Sequence, residues 1–233
     1  MSVDATGPGP RRALVTGVSS GIGEAIARAL LQQGWTVDGI SRGDVSGLGG
    51  HFRHHRLDLA DAAQADRLLS GLPVPDAVVH AAGLMHAAPL GELDADAGAR
   101  LWRLHVGAAE QLADCFAPRM VSGGRIVLIG SRTSRGMPGR SQYVATKAAM
   151  VGLARSWAAE LAPRGITVNV VAPGATETPM LLQPGRTRSP PRVPPIGRYI
   201  QPDEVASLVQ YLLSPLAGAI TGQELVICGG ASL

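Results

Sequence analysis

The sequence predicts an α/β domain built on a doubly wound parallel sheet, with about seven strands and helices on both faces. Three observations predict it. Short apolar runs alternate with segments of helical spacing along nearly the whole chain, the pattern of repeated strand–helix–strand units. Several runs, such as Arg125–Ile129, are continuously apolar after their first residue, as strands covered on both faces are. The composition is 45% hydrophobic and only 3% aromatic, with 30 glycines in 233 residues, so the core must be aliphatic with close backbone contacts.

The elements follow in order. Arg12–Thr16 reads as the first strand, and a glycine-rich turn leads from it into a helix over Glu24–Gln33. Trp35–Ile40 reads as the second strand and residues 51–57 as the third. A short helix over about Ala60–Leu69 precedes a fourth strand at Asp76–His80. A long helix is expected over Asp96–Phe116, a fifth strand at Arg125–Ile129, and another long helix over Gln142–Leu161. Ile166–Ala172 is the sixth strand, Pro202–Leu213 a helix opened by Asp203 and Glu204, and Glu224–Ile227 the last strand. No second-domain linker or internal repeat interrupts the series. The expectation is a disordered tail over residues 1–10 and a single domain over 11–233.

The stretch 178–201 breaks the pattern. It holds six prolines and the arginines Arg186, Arg188, Arg192 and Arg198, with no acid among them. A loop this long inside a compact domain is usually functional or disordered, and it is read as a substrate lid.

Bulk properties exclude several classes. The net charge of +3 comes without a basic run, which gives nucleic-acid binding no support. No apolar run reaches the roughly 18 residues a membrane span needs. The N-terminus carries glycine and proline where a signal peptide has its apolar segment. The two cysteines, Cys115 and Cys228, form no disulfide framework, and a cytoplasmic protein is expected. His51, His54 and His55 have no further ligand at metal spacing, so no metal is expected.

Chemistry concentrates in two places. The first is the turn after the first strand. Gly17 permits a sharp turn, Gly21 lets backbone approach a pyrophosphate, and Gly23 lets helix and strand pack closely. Ser19, Ser20 and Ile22 complete the turn, with phosphates expected at the positive helix end. At the end of the second strand, where an acid would bind the ribose hydroxyls of NAD, stand Ser41 and Arg42. A hydroxyl and a guanidinium suit the 2′-phosphate of NADP, so NADP is expected in preference to NAD.

The second place is Ser131 to Lys147. Lys147 is the only lysine in the chain. Lysine is a compact ammonium of tunable pKa, which arginine cannot replace. Tyr143 and Lys147 stand four apart, on one face of a helix. An ammonium near a phenol lowers its pKa and fits it for general acid–base work. Ser131, just past the fifth strand, is placed to hydrogen-bond a substrate oxygen beside the phenol.

In this order the motifs resemble the short-chain dehydrogenase/reductase family over nearly the whole chain. Thr16-Gly17-Val-Ser-Ser-Gly21-Ile-Gly23 is similar to the family's cofactor turn. Asp58, followed by Leu59, matches the acid that meets the adenine ring. His80-Ala81-Ala82-Gly83 sits where the family usually has N-N-A-G. Ser131, Tyr143 and Lys147 fall on the catalytic triplet. Asn169 through Pro173-Gly174, with Thr176 and Thr178, resembles the segment that holds the nicotinamide side. The resemblance implies a Rossmann-type, NADP-preferring ketoreductase-like enzyme. It would transfer hydride between nicotinamide and a small-molecule carbonyl or secondary alcohol, with Tyr143 as acid and base. Leu84, Met85, Thr133, Met137, Ala175 and Met180 are the expected pocket residues. The family also implies a homotetramer or homodimer through the two long helices. The competing class is a dinucleotide-binding sensor or scaffold without turnover. His105 stands where the family often has asparagine, and two readings stay open: a proton relay with a pH dependence between about pH 6 and 7.5, or a residue that packs or faces the oligomer contact.

Overall fold

The computed structural model describes residues 10–182 and 190–233. Residues 1–9 of the expected tail, and Pro184, Arg186 and Arg188 of the expected lid, lie outside the described residues.

One sheet of seven strands runs β3-β2-β1-β4-β5-β6-β7, every neighbouring pair parallel. Its strands are β1 (Arg12–Thr16), β2 (Thr36–Ser41), β3 (Phe52–Arg56), β4 (Ala77–His80), β5 (Arg125–Ile129), β6 (Thr167–Pro173) and β7 (Glu224–Ile227). The central strands are buried along almost their whole length, whereas β3 and β7 at the two edges are only partly covered. The alternation of side chains along β1 splits the core in two. Leu14 joins Leu112, Phe116 and Met150 on one face, while Ala13 and Val15 join Ile26, Leu30 and Val209 on the other.

The helices are α1 (Gly21–Gln32), α2 (Ala62–Ser70), α3 (Ala95–Trp102), α4 (Ala108–Phe116), α5 (Ser141–Leu161) and α6 (Pro202–Leu213). α1 starts at Gly21, so the glycine motif supplies the first helical turn itself. The expected helix over Asp96–Phe116 is three segments: α3, a π-helical turn over Arg103–Gly107, and α4. The physical reason is packing. Leu104, His105 and Val106 are all buried, and three successive residues of a regular α-helix cannot share one inward face. The wider turn admits the extra residue.

The chain winds outward from β1 to β3, then crosses back to β4 beside β1. This reversal opens a crevice at the C-terminal ends of β1 and β4, where an open α/β sheet takes its ligands. Thr16-Gly17 and His80–Gly83 stand at that edge.

Candidate active site

Backbone geometry at the crevice leaves room for a phosphate. Gly17 has φ +76°, donates its N–H to the Ile40 carbonyl at 2.8 Å, and lies so near Ala82 that a Cβ would sit 2.9 Å from its Cα. A Cβ at Gly23 would strike the Gly17 carbonyl. Ser20 caps α1 in extended backbone and makes no side-chain cap bond, so the first-turn N–H groups of α1 face the crevice uncapped. Together with the helix dipole they fit the diphosphate of a dinucleotide. Thr178 closes over this turn, its Cγ2 3.0 Å from where a Gly21 Cβ would be.

At the end of β2 the expected hydroxyl–guanidinium pair is divided. Ser41 is buried, and its Oγ donates to the Gly43 carbonyl at 2.9 Å while Nε2 of His54 lies 2.8 Å away. The hydroxyl is therefore committed inside the protein. Arg42 stays 58% exposed, 3.8 Å from Asp58, whose carboxylate also takes Arg100 at 3.2 Å and the Ala60 N–H at 3.0 Å. Leu59 is buried beside it. His55 bonds Asp38 at 2.9 Å, so His54 and His55 serve internal contacts.

Further along the edge, a cavity of about 770 Å³ gathers Ser131, Tyr143 and Lys147. Ser131 follows β5 as the N-cap of a short turn over Arg132–Arg135, and its Oγ lies 2.9 Å from Oγ1 of Thr133. Tyr143 and Lys147 are buried on successive turns of α5. Lys147 Nζ donates to the Ile129 carbonyl at 2.8 Å and lies 5.9 Å from the centre of the Tyr143 ring. Burial pushes its pKa down to about 7. Ile22, Ala81, Gly83, Pro173, Gly174, Thr176 and Thr178 line the same space, as do all six expected pocket residues. Gly17, Ser19, Ser20, Gly21, Gly23, Ser41, Arg42, Asp58, Leu59 and Ala82 do not line this cavity.

Two buried histidines tie these parts together. The Thr16 hydroxyl accepts from the Ala81 and Ala82 N–H groups at 3.0 and 2.9 Å, so it donates to His80 Nδ1 at 3.0 Å. His80 Nε2–H then donates to the Leu104 carbonyl in the π-turn at 3.1 Å. The neighbouring His105 accepts the Leu84 N–H at Nε2 (3.1 Å), so Nδ1 carries its proton and donates to the Thr146 hydroxyl at 2.8 Å. Thr146 passes its own proton to the Tyr143 carbonyl at 2.8 Å. The His105 ring also stands edge-on to the Tyr143 ring, 5.7 Å between centres. Burial, helped by the Lys147 charge, lowers the His80 pKa to about 3 and that of His105 well below 6.5.

These contacts favour the packing reading of His105 over the relay. Both ring nitrogens are committed, and burial favours the neutral ring. Sequence reasoning also missed Thr146, the link between His105 and the Tyr143 backbone. Its position three residues after Tyr143 was the available signal.

Comparison with known proteins agrees with this geometry. The family described as Enoyl-(Acyl carrier protein) reductase matches residues 17–232. A 3-oxoacyl-acyl-carrier-protein reductase of Thermotoga maritima is 32% identical, over 93% of this chain and 96% of the relative. The 2,3-dihydro-2,3-dihydroxybenzoate dehydrogenase of Escherichia coli is 33% identical, over 94% of this chain and 96% of its own. A solved short-chain dehydrogenase from Burkholderia cenocepacia in complex with NADP superposes with TM-score 0.87 at 32% identity, covering 97% of this chain and 99% of that one. The chain belongs to the short-chain dehydrogenase/reductase family. Like its relatives, this short-chain dehydrogenase/reductase is a nicotinamide-dependent oxidoreductase acting on CH–OH groups. Among the described residues, no helix is long and apolar enough to cross a membrane.

Proposed function

We propose that the protein is an NADP(H)-dependent carbonyl reductase, reversible as a secondary-alcohol dehydrogenase, with Tyr143 as the general acid and base. The observation that carries this reading is the meeting of Ser131, Tyr143 and Lys147 in one cavity. That cavity adjoins a glycine turn whose helix end is uncapped. The nicotinamide, when bound, supplies or accepts the hydride. Tyr143 gives its phenolic proton to the substrate oxygen as the carbon–oxygen π bond breaks, and the product is the alcohol. Ser131 holds that oxygen by a hydrogen bond, so charge building on it meets a donor already in place. Lys147, while an ammonium, favours the phenolate left on Tyr143. Gly83, Pro173, Gly174, Thr176 and Thr178 are the residues for the nicotinamide side. Ser19, Ser20 and Ile22 are those for the diphosphate. His105 is a positioning residue: through Leu84 and Thr146 it fixes the cavity floor and the first turn of α5.

NADP in preference to NAD is supported by an exposed guanidinium at Arg42 and by the absence of an acid at Ser41. A homotetramer, or a homodimer, is supported by the outer face of α5. Ala145, Ala148, Gly152 and Ala159 are exposed there, and a Cβ at Gly152 would meet nothing. A cytoplasmic setting is supported by the two free cysteines. The sensor or scaffold reading loses ground because binding alone needs no Ser-Tyr-Lys set. Oxidation of NADPH with a panel of ketones and 3-oxoacyl thioesters tests the proposal. Turnover of some members is expected, and tight dinucleotide binding with turnover of none would overturn it.

A further inference from the structure

The charges around the cavity select among carbonyl compounds. The described residues that line it include Arg132, Arg140, Arg192 and Lys147 but no aspartate or glutamate side chain, and Arg140 is buried with a partner of its own. Two arginines close in sequence to these are matched. Arg198 is held by Glu204 at 2.7 and 2.9 Å, and Arg135 reaches Glu224 at 3.8 Å. Arg132 and Arg192 have no ion-pair partner among the described residues. Arg132 is half-buried directly after Ser131, tethered through one guanidinium nitrogen to the Ala231 carbonyl at 3.1 Å. That tether fixes the fork and leaves its other donors for a ligand. Arg192 is exposed in the proline-rich part of the lining that holds Pro190, Pro191, Pro194 and Pro195. The lining also includes apolar side chains, Leu84, Met85 and Met137 among them.

We infer that the substrate is a ketone bearing a carboxylate, with the carbonyl at Ser131 and Tyr143 and the carboxylate at Arg132 and Arg192. The inference rests on the reading of the cavity as a carbonyl-reducing site and adds the substrate class to it. A carboxylate accepts two parallel N–H bonds from a guanidinium, a geometry that neither a neutral ester nor an amide reproduces. Exposed charge at the rim also draws an anion in by a salt-sensitive route. The apolar side chains of the lining take the carbon chain that separates carbonyl from carboxylate.

The test compares 5-oxohexanoate with its methyl ester, using NADPH and the full-length protein. The two probes carry the same ketone, and the ester removes the negative charge. The wild type is expected to favour the acid by about tenfold or more in kcat/KM, the low end for hydrogen bonds to charged groups. Added salt should narrow that ratio. Arg192→Gln, at an exposed position, should raise KM for the acid about tenfold and leave the ester within about twofold. Arg132→Gln should do the same. Equal turnover of acid and ester by the wild type would overturn the inference while leaving the carbonyl reductase reading intact. So would an Arg192→Gln variant that slows both probes alike. Turnover of neither probe, nor of any other ketone, would remove both.

Discussion

The Nδ1–H of His105 donates to the Thr146 hydroxyl at 2.8 Å, and through it His105 holds the backbone carbonyl of Tyr143. The other ring nitrogen of His105 accepts the Leu84 N–H. The imidazole therefore joins the loop after β4 to the first turn of α5, and both segments line the cavity. His80 extends the chain of bonds back to Thr16, next to the glycine turn.

A positioning role for His105 differs measurably from a relay. His105→Asn keeps a short side chain able to accept at one end and donate at the other. It should retain activity within a few-fold and leave the pH–rate profile between pH 6 and 7.5 unchanged. His105→Leu strands the Leu84 N–H and the Thr146 hydroxyl in a buried place. Turnover should fall by about tenfold, the equivalent of the ~1–3 kcal/mol cost of an unsatisfied buried group. Rescue by asparagine but not leucine is the signature. A pH profile flattened in His105→Asn would restore the relay.

Lys147 sets a limb of that profile. Its pKa is depressed to about 7, so it is an ammonium below that pH and neutral above it. Only the cation favours the Tyr143 phenolate. In the reduction direction kcat/KM, which reports the free enzyme, should fall as pH rises through about 7, approaching tenfold per unit. A flat profile from pH 6 to 9 would separate Lys147 from the proton transfer.

Arg42 remains exposed at the end of β2. Arg42→Ala should raise the Michaelis constant for NADPH by about tenfold or more while changing that for NADH little, since only the former loses a charge-assisted pair. Equal effects on both cofactors, or a wild-type preference for NADH, would count against this.

His80 gives the fold an acid-sensitive element. Its pKa falls from 6.5 in the unfolded chain to about 3 in the fold. Above pH 6.5 both forms are neutral and the group contributes nothing to pH dependence. Below 6.5 the unfolded chain binds a proton that the folded chain does not, so stability declines as pH falls towards 3. The slope approaches ~1.4 kcal/mol per pH unit, or about 2 kcal/mol between pH 6.5 and 5. His105 adds in the same direction. His80→Asn should flatten this decline in urea titrations at pH 7 and pH 5, and an unaltered decline would count against it.

The sheet was legible because buried parallel strands are short aliphatic runs and each is followed by a helix. Tyr143 and Lys147 were legible because the α-helical period places residues four apart on one face. The π-turn at Arg103–Gly107 was hidden, since a single added residue alters helical spacing only where packing demands it. Ser41 was placed at the cofactor edge by its position, but its hydroxyl is taken by Gly43 and His54, the latter from the neighbouring strand β3. The roles of His80 and His105 likewise depend on partners between 21 and 64 residues away in sequence, which no local pattern reveals.

The central claim is that Tyr143 transfers the substrate proton with Lys147 as its ammonium partner. Steady-state turnover of Tyr143→Phe and Lys147→Arg, beside their NADPH affinity, tests it most directly. Both variants should lose at least about a hundredfold in kcat, the low end for general acid–base catalysis, while Tyr143→Phe still binds NADPH. The arginine keeps the charge, but its wider fork cannot take the place of the ammonium. Near wild-type turnover in either variant would contradict the account.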